Sequence, residues 1–102
     1  MTDADAADAV AAVAGAVPGV TALHAGVFGE VATHLPGRKV SGVRMAADVT
    51  EVHVSVLMGA DVLDVARRVR AAVEPLVLTP VHVYIEDVTA TSAPPPLLRR
   101  TP

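Results

Sequence analysis

Four histidines, eleven carboxylates and eight basic side chains are the groups in this 102-residue chain with the means for acid–base or ligand chemistry, because it has no cysteine. The missing thiol removes a disulfide framework, a thiolate nucleophile and a cysteine-bound zinc. His24, His34, His53 and His82 invite a metal reading, but no H-E-x-x-H motif is present and no two histidines stand at helical or strand spacing. Zinc needs three or four ligands, so the four read as surface residues of a sheet. His53 and His82 are expected to point from the open face of strands that are neighbours. For general acid–base work the candidates are Glu30 with Glu51, or Glu86 with Asp87. Adjacent strand residues point to opposite faces, so Glu86 and Asp87 are not expected to converge. The stretch Pro36-Gly37-Arg38-Lys39-Val40-Ser41-Gly42 carries two glycines and two cations but lacks the spacing of a phosphate-cradling loop, and reads as a solvated hairpin loop. No catalytic residue, metal or cofactor is expected. Arg67, Arg68 and Arg70 form the densest cationic cluster. Asp64 stands three and four residues before the first two, which favours intrahelical pairing on a wet face. The same face suits an acidic partner or anionic head groups.

The elements that must position these groups follow from patterning. The chain is 52% hydrophobic with one Phe, one Tyr and no Trp, so its core must be built from small branched side chains. Residues 3–17 favour a helix because alanine is the best helix former and Asp3, Asp5 and Asp8 complement its N-terminal dipole. Its expected stripe is Ala6, Val10, Val13 and Val17, and Pro18-Gly19 ends it. Residues 23–35 are punctuated by Gly26 and Gly29, which fits a twisting strand, or a helical turn over residues 30–35. Residues 43–45 and 51–58 alternate as strands, with Val52, Val54, Val56 and Met58 toward the core and Glu51, His53 and Ser55 away from it. Asp61 is the expected N-cap of an amphipathic helix over residues 62–77, perturbed near its end by Pro75. Residues 81–88 alternate again. Strand, helix and strand imply a right-handed parallel crossover.

The expected fold is therefore a two-layer α+β domain over residues 1–90. Its small mixed β-sheet, a hairpin plus a βαβ crossover, is covered on one face by two helices. Residues 91–102 form a Pro-rich basic tail, expected to be disordered, in which Leu97, Leu98, Arg99 and Arg100 offer a short docking motif. A net charge of −3 argues against a non-specific nucleic-acid binder. The uncharged stretch over residues 9–23 is broken by Pro18 and Gly19, too short to span a bilayer, and follows an acidic start unlike a signal peptide. A cytoplasmic location is expected.

Val17-Pro18-Gly19-Val20 after an Ala/Val helix comes first in a longer pattern. It continues with Leu23, Gly26, Gly42-Val43-Arg44 and Val52-His53-Val54-Ser55-Val56 ending at Gly59. Val65-Ala66-Arg67-Arg68-Val69-Arg70 and Val81-His82-Val83-Tyr84-Ile85-Glu86-Asp87-Val88 complete it. In order and spacing this resembles the alkaline shock protein family of the Gram-positive envelope stress response, closest to its short actinobacterial members, over residues 9–89. The resemblance implies a small cytoplasmic α+β protein without catalytic activity. It also implies self-assembly and a place beneath the membrane through a small membrane-anchored partner. The function expected is a non-enzymatic, self-associating interaction module in envelope homeostasis, with Arg67, Arg68, Arg70, His53, His82 and Tyr84 as its interaction face. The alternative is a small nucleic-acid or ligand-binding domain.

Overall fold

A computed structural model describes residues 3–90, so the proposed docking residues Leu97, Leu98, Arg99 and Arg100 lie outside the described residues. The fold is organised around one long strand, β5 (Thr50–Leu57). On one side β5 pairs in parallel, over its full length, with β6 (Val81–Thr89). Its other side is shared end to end by two short antiparallel strands, β1 (Val20–Leu23) against residues 54–56 and β4 (Val43–Met45) against residues 50–52. The crossover between β5 and β6 runs through α2 (Val62–Val73), and α1 (Asp3–Gly15) packs beside it, so both helices cover the same face. The expected mixed sheet, parallel crossover and two-helix layer are all present.

The core explains the composition. Val10, Val43, Val52, Val54, Val56, Val69, Val73 and Val81 are all fully buried. Burying a valine side chain stabilises by roughly 1.5–3 kcal/mol, so a cluster of this kind holds the layers together without aromatic rings. The buried stripe of α1 is rotated from the expected one: Ala7 and Ala14 are fully buried while Val13 is only half-buried. Alanine there lets the helix approach the sheet closely. In α2 the Asp61 carboxylate accepts the Asp64 N–H at 3.1 Å, the expected cap, and Val65, Val69 and Val73 turn inward. The helix stops four residues earlier than expected, in a 3₁₀ turn at Glu74–Leu76, because Pro75 has no N–H to continue the ladder.

Two expectations need correction. Residues 23–35 form neither one strand bent at its glycines nor a helical turn. β1 ends at Leu23, a loop carries Gly26 and Gly29 at positive φ, and β2 (Ala32–Leu35) then pairs with β3 (Arg38–Ser41) as a separate hairpin that inserts Val40 into the core. Met58 is not a core residue: β5 ends at Leu57, and Met58 lies in the turn to Gly59 with 64% of its surface exposed.

The junction of β1 and β4 on one edge of β5 is held through the backbone of His53. Its N–H donates to the Gly42 carbonyl at 2.8 Å, and its carbonyl accepts the His24 N–H at 2.8 Å. Gly42 sits there at φ +83°, where an added Cβ would lie 2.7 Å from Leu23 Cβ and 3.0 Å from the His24 nitrogen. Gly37, also at positive φ, has nothing within 4 Å. Gly42→Ala is therefore expected to cost about 2–4 kcal/mol, from left-handed strain plus overpacking, against about 1 kcal/mol for Gly37→Ala. Urea unfolding of both variants checks this, and equal losses would contradict it.

Candidate functional site

The face of β5 turned away from the helices carries Glu51, His53 and Ser55, as alternation requires. It is not the exposed surface that the sequence suggests. His53 is 6% exposed and Ser55 5% exposed. His53 is covered because β5 is interior to the sheet and because β6 brings longer side chains over it. The parallel register sets Tyr84 beside His53 and His82 beside Glu51. The Tyr84 ring stacks on the imidazole with centroids 4.4 Å apart and planes 16° from parallel. His53 and His82 do lie on the open face of neighbouring strands, but the cross-strand neighbour of His53 is Tyr84, and of the two histidines only His82 stays exposed.

Both ring nitrogens of His53 meet carboxylates. Nδ1 lies 2.5 Å from Glu86 Oε2, and Nε2 lies 3.1 Å from Glu51 Oε1. A neutral imidazole has one N–H donor, so only the doubly protonated ring donates to both. Arg44, opposite Glu51 in the β4·β5 pair, donates from Nη2 to Glu51 Oε2 at 2.9 Å. The hydrogen bond from Arg44 holds the Glu51 carboxyl below the ordinary carboxylate range; burial opposes this, and the bond to His53 adds to it.

The sequence pairings of acids therefore need revision. Glu51 converges with Glu86 across two strands, with His53 between them, and neither of the pairs weighed from the sequence forms this group. Glu86 stands two residues past Tyr84 on the open face, as alternation requires, and a bulge there steps the register from Val54 opposite Ile85 to Ser55 opposite Asp87. The i, i+2 spacing of Glu51 and His53 on one strand was the available signal for half of this group. Glu86 lies on a different strand, and no local spacing ties it to His53.

The arginine cluster lies where expected, on the exposed face of α2. Arg68 Nε donates to Asp64 Oδ2 at 2.7 Å, Arg67 lies 3.8 Å from Asp64, and Arg70 lies 3.4 Å from Glu74. Such exposed pairs contribute little to stability. Arg67 and Arg70 also border a groove of about 510 Å³ between α2 and β6, with Leu63, Ala66, Val83 and Tyr84 in its walls. The outer side of β6 has no strand partner among the described residues. Also among the described residues, no cluster of three or more His, Asp or Glu is arranged to hold a metal ion, and no helix is long and apolar enough to cross a membrane. No protein-family model, curated protein or solved structure matches the chain.

The depressed Glu51 carboxyl sets a pH dependence. A carboxyl lowered in the folded state contributes its full stability above its unfolded value of about 4.3, and that contribution is lost as pH falls through the folded value. The urea midpoint of the wild type should accordingly fall more steeply than that of Glu51→Gln between about pH 5 and pH 2. Parallel profiles would show that the Arg44–Glu51–His53 contacts add nothing to stability.

Proposed function

We propose that this chain is a non-enzymatic protein-interaction module that self-associates, acting in the cytoplasm in envelope homeostasis as in the alkaline shock protein family it resembles. The observation that carries the reading is the outer edge of β6. A nine-residue strand that is paired, among the described residues, on one side only presents a row of backbone donors and acceptors, the usual template for adding another chain. The side chains along it are suited to contact. Tyr84 is 42% exposed, and Leu63 on the adjoining helix is 69% exposed. The one buried histidine supports a structural use of the open face, because both of its ring nitrogens are engaged by carboxylates instead of facing a cleft. Arg67, Arg68 and Arg70 form the face offered to an acidic segment of a small membrane-anchored partner. Their carboxylate partners lie on the same exposed helix, so exchanging one ion pair for another there costs little desolvation.

Mass action tests self-association directly. Sedimentation velocity over about a hundred-fold range of protein concentration should show the weight-average mass rising from that of one chain. A constant monomer mass across the range would overturn the proposal.

A further inference from the structure

Resting on that reading, we infer that the partner on this edge is a second copy of the chain, added antiparallel through residues 81–85 about a two-fold axis at Val83. The direction of each backbone group along β6 follows from the ladder to β5. Thr50 N–H donates to the Pro80 carbonyl at 2.9 Å, and Thr50 is in register with Val81. In a parallel ladder the N–H and C=O of one residue point to the same side, and the sides alternate. His82 and Tyr84 therefore spend their backbone groups on β5, while Val81, Val83 and Ile85 turn theirs outward.

The usable window is closed at both ends. β6 begins at Val81, and Pro80 before it turns its carbonyl to β5, so no outward strand residue precedes Val81. Beyond Ile85 the bulge at Glu86 breaks the alternation, and the N–H of Val88 is already taken by its neighbour's Asp87 Oδ1 at 2.9 Å. Bulges and charged side chains are the standard means of blunting an edge, and here they stop at Ile85. What stays open is a short segment symmetric about Val83.

Antiparallel pairing of that segment with itself satisfies every outward group. Val83 stands opposite its own copy, and Val81 stands opposite Ile85 of the second copy. These are hydrogen-bonded pairs exchanging two bonds each. Moving the centre to His82 or Tyr84 leaves only two such pairs instead of three. The side chains agree with the same register. Val81, Val83 and Ile85 lie on the helix-covered face, where they extend the apolar layer across the junction. His82 and Tyr84 lie on the open face and become cross-strand neighbours. The groove along α2 borders residues 81–84 of the same edge. An isologous contact of this kind closes on itself, giving a dimer with one continuous sheet and not a fibre.

The cysteine-free chain permits a direct test. His82→Cys and Tyr84→Cys chains are mixed and oxidised. In the inferred register these positions face each other across a non-hydrogen-bonded pair, about 4.5 Å between Cα atoms, within disulfide reach. Each position stands diagonal to its own copy, about 7–8 Å away and beyond reach. The mixture should therefore cross-link at least about ten-fold faster than either variant alone. Tyr84→Cys also removes the ring stacked on His53, so a second mixture, Val81→Cys with Ile85→Cys, repeats the test with Tyr84 in place. Rapid cross-linking in both mixtures supports the dimer. Association by sedimentation with no preference for the mixtures overturns this surface while leaving self-association standing, whereas a monomer at every concentration overturns both.

Discussion

One strand with three partners governs this molecule. β5 must be satisfied along its whole length on both sides, yet on one side two separate short strands share the work, and the chain has to arrive at and leave their meeting point without a gap in the ladder. That point is the backbone of His53, which receives one hydrogen bond and donates another to the two segments that meet there. Only a residue without a Cβ fits at Gly42, because Leu23 and the His24 nitrogen occupy the space a side chain would need. The close approach at this junction, together with the strand on the opposite side, makes β5 interior to the sheet. Its non-helical face is then partly buried, although among the described residues no helix lies over it.

That burial has an electrostatic consequence. A histidine in the middle of an interior strand, with its ring under Tyr84, needs partners for both nitrogens, and Glu51 and Glu86 provide them. Two carboxylates brought to one place need compensating charge, and Arg44 stands on the adjacent strand to give it. Carboxylate, imidazole, carboxylate and guanidinium tie β4, β5 and β6 together on the face that the valine core does not reach. A bulge at Glu86, the residue that meets His53, ends the regular part of the β6 edge. The buried group and the limit of the surface left for another chain thus fall at the same residue.

How far this was legible in the sequence depended on the range of each interaction. Alternation marked β5 and the start of β6, a 3.6-residue stripe marked α2, and Asp61 and Pro75 marked where that helix begins and falters. From these local signals the mixed sheet and its helical cover could be assembled. The β2–β3 hairpin escaped because its four-residue strands are too short to show a period and the glycine-bearing loop before it obscures where they start. The His53 group escaped because exposure was inferred from side-chain direction alone, and direction does not say whether a strand is central. Alternation with His82 and Tyr84 puts Glu86 on the open face, but its meeting with His53 depends on a cross-strand register that no single-strand pattern encodes.

Dimer formation would engage particular backbone amides, those of Val81, Val83 and Ile85, which face outward in the single chain. Amide hydrogen exchange followed at low and high protein concentration reads them most directly. Protection of these three amides should rise with concentration while that of His82 and Tyr84, already bonded to β5, stays high throughout. Rapid exchange of Val83 at every concentration, under conditions where the protein associates, would contradict the account.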